Sequence, residues 1–143
     1  FVSLYNRART AGLKLKAHAG ELLGPDVVRH ALETLNLDAI QHGVRAVEDP
    51  DLLDLLAKRG TTLHVCPTSN VMLRVAPSLS EHPALKLHRS GVRITVNTDD
   101  YAVFGSSVSE EILKLTDMGF TTDEIVSVVR NGLEEEHRKL PSN

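Results

Sequence analysis

The sequence predicts an α/β fold of about four strand–helix units, which is half of a (β/α)8 barrel. Three observations lead to this prediction. Short apolar segments alternate with amphipathic helical segments along the chain. The predicted strands end at residues 18, 42, 66 and 99, so successive units have similar lengths. Each of these ends carries a side chain that can take part in chemistry, and barrel enzymes place their catalytic groups there.

The predicted strands are short, mostly apolar segments that are followed by polar or turn-forming residues. They are residues 13–18, 38–42, 62–66 and 92–99. Helical crossovers between them require the strands to be parallel. An open doubly wound sheet also fits this alternation, but it usually gathers its site at one switch point, often beside a Gly-rich turn. No GxGxxG motif is present. A full barrel needs about 250 residues, so four units in 143 residues predict half of one.

Helices are predicted before the first strand and between the strands. These segments are residues 1–9, 25–35, 50–58 and 82–90. Asp49 precedes Pro50 and is the expected N-cap of the third segment. Two later helices are indicated by capping boxes, in which Ser107 precedes Glu110 and Thr121 precedes Glu124 by three residues.

The composition is that of an ordinary globular domain and argues against two classes of binding partner, nucleic acids and membranes. Of the 143 residues, 41% are hydrophobic and 24% charged, and the net charge is −3. The chain has no basic surplus, so no nucleic acid partner is predicted, and it has no apolar run long enough to suggest a membrane span. A single cysteine favours a reducing compartment, and we expect a cytoplasmic protein. Because the first residue is Phe1, we also expect that the chain begins within a longer protein.

His18 and Glu21 follow the first predicted strand in the segment His-Ala-Gly-Glu. A neutral imidazole is a good zinc ligand, and a carboxyl group three residues later can face the same space as a general acid or base. The alternative is a surface histidine followed by a glutamate that leads into a helix. His42 ends the next strand, and two histidines at neighbouring strand ends should converge. Its alternative role is that of a hydrogen-bonded structural side chain.

Asp99 and Asp100 close the fourth predicted strand, where alternation places Asp99 on the same face as Asn97. A buried carboxylate is costly unless it is paired or binds a metal. A helix N-cap is the alternative, and it is less favoured because Ser107 is a better cap. Cys66, at the end of the third strand, is expected to be a buried thiol at the pocket rim rather than a nucleophile.

The remaining histidines are expected to have no catalytic part. His64 should be structural, and solvated positions are predicted for His30, His82, His88 and His137.

Four ordered motifs carry a resemblance to a known family. They are HAGE at 18–21, HG at 42–43, VCPTSN at 65–70 and VNTDD at 96–100. Together they resemble the adenosine/adenine deaminase family of the amidohydrolase barrels. The resemblance implies that residues 1–143 form one domain, the C-terminal half of a (β/α)8 TIM barrel that holds one zinc ion.

The resemblance also implies roles for individual residues. His18 and Asp99 would be zinc ligands, and Glu21 would shuttle a proton near purine N1. His42 would orient the zinc-bound water and help to polarise it. Asp100 would hydrogen-bond on the N7 side of the purine.

Gly20 would bring its backbone close to the substrate.

The chain departs from the family pattern in three places. It lacks the His-x-His pair that supplies two further ligands, it has Gln41 where the family usually has glycine, and it has Tyr101 where the family usually has proline.

The predicted reaction is hydrolysis of adenosine or 2'-deoxyadenosine to the inosine form, with an N-terminal half of the barrel as the missing partner. Adenine or aminodeoxyfutalosine is an alternative substrate. A catalytically incomplete half-barrel with a structural or partner-binding role is the remaining alternative.

Overall fold

The computed structural model describes residues 1–137 and contains one parallel four-stranded sheet. Its strands follow the chain in the order β1-β2-β3-β4. They are β1 (Lys16–Ala19), β2 (Ala39–His42), β3 (Thr62–Val65) and β4 (Ile94–Val96). Sequential parallel neighbours joined by helical crossovers are the repeating unit of a (β/α)8 barrel. The predicted fold class, four strand–helix units of half a barrel, is therefore confirmed.

Eight α-helices and one short 3-10 helix are present in residues 1–137. They are α1 (Val2–Thr10), α2 (Pro25–Leu35), the 3-10 helix Val44–Glu48, α3 (Pro50–Arg59), α4 (Pro67–Met72), α5 (Ala84–Arg89), α6 (Tyr101–Phe104), α7 (Val108–Asp117) and α8 (Thr122–His137). The predicted caps are confirmed. The Asp49 carboxylate accepts a hydrogen bond from the backbone N–H of Leu52, and Ser107 forms a complete capping box with Glu110.

The core lies between one face of the sheet and the helices that cover it. Strand register aligns Ala17, Ile40, Leu63 and Ile94 in one row across all four strands. The last three of these side chains are fully buried, together with Leu32 of α2 and other helix residues. The adjacent row contains His18, Gln41, His64 and Thr95 and lies on the opposite face of the pleat. The alternation of apolar and polar rows thus separates the core from the side that carries the chemistry.

All four strands are shorter than their sequence patterns suggested, and two short α-helices were not predicted. β4 ends at Val96, so Asp99 lies beyond the strand in a turn. β1 ends at Ala19 rather than His18. The additional α-helices are α4, which begins two residues after the end of β3, and α6, which follows the turn after β4. No helix in residues 1–137 is long and apolar enough to cross a membrane.

Candidate functional site

Three of the four strand ends turn sharply through a residue with a left-handed backbone. The φ angles are 66° at Gly20, 62° at His42 and 60° at Asp99. Positive φ is uncommon for residues other than glycine, and such strain is concentrated at functional sites. All three of these residues are also predicted site residues. The backbone turns therefore occur where the sequence motifs place the chemistry.

The side chains of four predicted site residues come together at this end of the sheet. Nε2 of His42 lies 3.6 Å from Oε1 of Glu21 and 3.8 Å from Oδ2 of Asp99. The rings of His18 and His42 have centroids 5.5 Å apart. The predicted convergence of the two histidines is confirmed by this contact, and both carboxylates approach Nε2 of His42.

Strand register alone would not produce the contact between the two histidines. In the sheet, His18 is paired with Gln41, and His42 is paired with Ala19. Because side chains alternate along a strand, His42 would point to the face opposite His18. The positive φ of His42 ends the regular strand at that residue and redirects its side chain. The ring is 3% exposed.

Burial and neighbouring charges act on the pKa of His42 in opposite directions. Burial in the protein lowers this pKa below its ordinary value, and the nearby carboxylates of Glu21 and Asp99 oppose the effect. His18 adds a further lowering contribution. Burial has the larger effect, so His42 favours the neutral imidazole. A neutral imidazole offers one N–H donor and one acceptor nitrogen.

Gly20 has a structural reason to be glycine as well as a place beside the site. A Cβ atom on this residue would overlap Cγ2 of Val28 and would lie 3.3 Å from Cα of Gly43. Its carbonyl oxygen accepts a hydrogen bond from the backbone N–H of Arg45 at 3.0 Å. The close packing of the two turns that follow β1 and β2 therefore depends on the absence of a side chain here.

The two aspartates after β4 have different local partners. Oδ2 of Asp99 accepts a 2.6 Å hydrogen bond from the buried hydroxyl of Ser69, and its Oδ1 accepts from the backbone N–H of Asp100. Oδ1 of Asp100 caps α6 by accepting from the backbone N–H groups of Ala102 and Val103. The sequence analysis disfavoured a helix N-cap here, and this prediction was wrong. A short helix, α6, begins directly after Asp100 and ends before Ser107.

Within residues 1–137, one group of three potential metal ligands has its donor atoms within 4.8 Å of one another. It comprises His42, Cys66 and Asp99. Burial raises the pKa of the Cys66 thiol to about 12, so the sulfur is protonated when no metal is bound, whereas zinc binds the thiolate. Nδ1 of His42 already has a hydrogen-bond partner, the side-chain amide of Asn70.

His18 offers the better imidazole for a metal. It is exposed, and in the described part of the chain no hydrogen bond occupies either ring nitrogen. His18 and the Asp99 carboxylate thus fit two positions of a zinc site in donor chemistry. A catalytic zinc takes about three protein ligands, so this pair supplies part of the set.

A small open cavity borders this cluster on the β1 side. Its volume is about 210 Å³, and His18, Glu21, Leu22 and Leu23 are among its lining residues. Ligand pockets typically measure about 300–1,000 Å³. This cavity is smaller than that range, and apolar side chains lie beside Glu21 in its lining.

Several polar residues of the site were not singled out by their sequence pattern. Ser69 and Asn70 lie on α4 and contact Asp99 and His42. His82, predicted to be solvated, is 4% exposed and bonds to Asn70, so that prediction was wrong. Its position before Pro83 resembles a helix edge, but the loop folds it inward. Only the VCPTSN motif carried a signal for the two α4 residues.

A buried ionic cluster holds α4 in place from behind. The carboxylate of Glu111 on α7 is fully buried and accepts hydrogen bonds from the backbone N–H and hydroxyl of Thr68. The ammonium group of Lys114 bonds to Glu111 at 2.9 Å and to Ser106 at 2.7 Å. Burial opposes ionisation of Glu111, but these bonds outweigh it and lower the pKa. The helix that carries Ser69 and Asn70 is thereby anchored to α7.

The chain is similar to known proteins over nearly all of its length. The family model described as adenosine deaminase matches residues 1–139. An adenosine deaminase from Serratia proteamaculans is 43% identical over 134 residues, which are 93% of this chain and 40% of that protein. An adenine deaminase from Rhizobium meliloti is 43% identical over 135 residues, or 94% of this chain and 42% of that protein.

Solved structures show the same similarity. The crystal structure of an adenine deaminase from Arthrobacter aurescens has a TM-score of 0.88 and 35% identity, covering 100% of this chain and 43% of its own. An amidohydrolase from Burkhoderia ambifaria, solved with bound Zn, has a TM-score of 0.84 and 32% identity over 94% of this chain and 38% of its own. The chain spans less than half the length of each of these relatives. With the match over nearly all its residues, the chain belongs to the adenosine deaminase family.

Proposed function

We propose that residues 1–143 form the C-terminal half of the barrel domain of a zinc-dependent deaminase. The substrate is adenosine or 2'-deoxyadenosine, which is hydrolysed to the inosine form with release of ammonia. One observation carries the proposal. The carboxylates of Glu21 and Asp99 both approach Nε2 of His42, with the ring of His18 beside it. These distances support a site in which a general acid/base, a hydrogen-bonding imidazole and two candidate metal ligands act on the same substrate.

His18 and Asp99 are the residues of this chain that hold the metal in our proposal. Ser69 and the backbone of Asp100 orient the Asp99 carboxylate through hydrogen bonds, and such outer partners fix ligands for metal binding. When bound, zinc lowers the pKa of a water molecule to about 7 and so supplies a nucleophile at neutral pH.

Glu21 carries the protons in the proposed reaction. The oxygen of water adds to C6 of the purine, and one of its protons passes to Glu21 and then to N1. The remaining proton of the new hydroxyl group passes to the amino group, which leaves C6 as ammonia. The partly buried position of Glu21, 19% exposed, limits competing exchange with solvent. His42 is placed to donate a hydrogen bond to the attacking oxygen from Nε2.

The purine is held by polar groups at its edge and by apolar side chains at its faces. Oδ2 of Asp100 takes no part in capping α6. In our proposal it accepts a hydrogen bond on the N7 side of the purine, where the neighbouring 6-amino group offers N–H donors. Gly20 lets the backbone after β1 approach the ring. Leu22 and Leu23 line the cavity beside Glu21, and apolar side chains favour a flat aromatic ligand.

The rest of the site is proposed to come from a longer chain. Two candidate zinc ligands are fewer than a catalytic zinc requires, and no His-x-His segment occurs here. We therefore propose that preceding residues complete both the barrel and the metal site. A cytoplasmic location is part of this proposal, and the single cysteine, a buried free thiol, supports it.

The test is a substrate panel on the full-length protein that contains this chain, purified with zinc. Adenosine, 2'-deoxyadenosine and adenine are supplied separately, and ammonia release is measured together with the change in purine absorbance. We expect turnover with the two nucleosides. The Glu21→Gln variant serves as the matched control, because it preserves the side chain's shape and removes its ability to carry the proton.

Each outcome of the panel has a defined meaning. Turnover of adenine alone would retain the reaction and replace the proposed substrate, an outcome consistent with relatives named adenine deaminase. Absence of ammonia from all three compounds, with zinc bound at one ion per protein, would refute the proposed function.

A further inference from the structure

Three buried polar side chains form a continuous hydrogen-bonded row behind the site. His42 is 3% exposed, Asn70 fully buried and His82 4% exposed. The side-chain amide of Asn70 lies 3.2 Å from Nδ1 of His42, and its Oδ1 lies 3.2 Å from Nε2 of His82. These residues come from β2, from α4 and from the loop before α5. The row therefore ties three separate units of the barrel to one imidazole.

The direction of every hydrogen bond in this row follows from the contact of His82 with the backbone of Ala84, at the end farthest from the site. The backbone N–H of Ala84 points at Nδ1 of His82 at 3.1 Å, and a backbone N–H is only a donor. Nδ1 of His82 is therefore the acceptor. Burial lowers the pKa of His82 to about 4, so the ring is neutral and its single proton is on Nε2.

The same reasoning continues to the catalytic end of the row. The N–H at Nε2 of His82 requires an acceptor, so the Asn70 oxygen faces His82. The Asn70 NH₂ group then donates to Nδ1 of His42. A ring nitrogen that accepts a hydrogen bond carries no proton, so the single proton of the His42 ring is on Nε2. That N–H points toward Glu21 and Asp99, 3.6 Å and 3.8 Å away.

We propose that Asn70 and His82 are positioning residues that hold His42 in the Nε2–H tautomer. In this form His42 serves the reaction as a hydrogen-bond donor to the attacking oxygen and has no lone pair at Nε2 for a metal. The inference rests on the proposed function for its catalytic consequence. The tautomer itself rests only on the contacts of the row.

The backbone around Asn70 keeps its amide from moving away. Its N–H donates to the carbonyl of Cys66 at 2.9 Å, and its carbonyl oxygen accepts from Val75 at 2.8 Å and from Ala76 at 3.0 Å. Full burial leaves no water to compete for the amide. The backbone of Asn70 is thus fixed by three hydrogen bonds, and a test needs to change only the hydrogen-bonding character of its side chain.

The first experiment replaces Asn70 by its isostere in the full-length, zinc-loaded protein. In Asn70→Asp, a carboxylate that can only accept faces Nδ1 of His42 and favours a proton there. Nitrogen NMR of ¹⁵N-histidine-labelled protein reports which imidazole nitrogen carries the proton. We expect an Nε2–H signal for His42 in the parent and an Nδ1–H signal in the variant, with kcat lowered by about 10- to 100-fold and KM little changed.

A second pair of variants tests His82 without placing a charge in the interior. His82→Leu removes both hydrogen bonds and frees the Asn70 amide to rotate. His82→Gln keeps one acceptor and one donor on a side chain that can span the same gap. We expect His82→Leu to lower kcat by about 10-fold, and His82→Gln to recover most of that loss. Leu87→Val on α5 is the control for general loss of packing, and its kcat should match the parent.

The results separate failure of the row from failure of the proposed function. A parent protein with Nδ1–H on His42, or an unchanged tautomer and kcat in Asn70→Asp, would overturn the inference. Equal loss of kcat in His82→Leu and His82→Gln would also overturn it. If Asn70→Asp does not fold, the NMR spectrum of the parent and the two variants of His82 still test the inference. A parent that shows the expected tautomer but deaminates no purine would refute the proposed function and leave the row intact.

Discussion

Replacement of Gly20 by alanine should destabilise the protein through one specific overlap. The new Cβ would meet Cγ2 of Val28, a fully buried core side chain, and the backbone of Gly43 at 3.3 Å. Neither neighbour is the free end of a long side chain, so the two turns must separate. Overpacking of a close-packed core costs about 1–3 kcal/mol. The positive φ of 66° adds about 1–2 kcal/mol for any L-residue with a side chain.

Gly60 provides a matched control for the backbone contribution. Its φ is 64°, nearly the same as that of Gly20, and nothing lies within 4 Å of the position of its Cβ. Gly60→Ala carries the same left-handed strain, partly offset by about 0.4–1 kcal/mol from the stiffer unfolded chain. The difference between the two variants therefore isolates the overlap, and we expect Gly20→Ala to be less stable by about 1–3 kcal/mol.

Urea unfolding of the full-length protein measures this difference, and zinc content and kcat are measured alongside it. Because Gly20 precedes Glu21, separation of the two turns should also lower kcat in Gly20→Ala and leave it unchanged in Gly60→Ala. Equal stability of the two variants would refute the packing argument. Equal stability with kcat lost only in Gly20→Ala would instead favour a direct role of Gly20 at the substrate.

Four further predictions concern the metal and the chemistry. Glu21→Gln should lower kcat by about 10²- to 10⁴-fold with zinc still bound, and turnover equal to the parent's would remove Glu21 from the mechanism. His18→Ala and Asp99→Ala should each lose zinc by elemental analysis, and full retention in both would contradict their assignment as ligands. Cys66→Ser should keep zinc and turnover, since burial raises the pKa of Cys66 to about 12 and the thiol stays protonated at neutral pH; zinc loss would make it a ligand. The isolated 143-residue chain should bind zinc weakly and deaminate no adenosine, because two ligands are too few; one tightly held zinc per chain with full turnover would overturn this.

Local patterns predicted most of the fold because they depend on near neighbours in sequence. The bounds of α2 were predicted in full, since Pro25 opens the helix and apolar residues recur on one face. Asp49, Ser107 and Thr121 mark helix starts that the structure contains. The ends of β1 and β4 were less accurate. An apolar run shows which residues prefer burial, but the neighbouring strand decides where pairing stops.

The sequence predicted which residues form the candidate site better than it predicted how they are arranged. His18, His42 and Asp99 were predicted as strand-end residues and Glu21 as a carboxyl group in the loop after His18, and the four side chains do converge. The pairing of His18 with Gln41 and the left-handed turn at His42 could not be deduced from alternation. The two-residue period would have directed the His42 ring into the core.

The sequence by itself determined the half-barrel architecture, the family and the set of strand-end side chains. The spacing of hydrophobic residues, the helix caps and the ordered motifs are properties of short segments, so they can be recognised without knowledge of distant contacts. Only the tertiary structure decided that His82 is buried, that Asn70 connects it to His42, and that Asp100 caps a helix. The contacts of the row join residues 12 and 28 positions apart in sequence. Which polar groups meet in a dry interior depends on packing between units, because an unpaired buried polar group is costly and each must find its partner there.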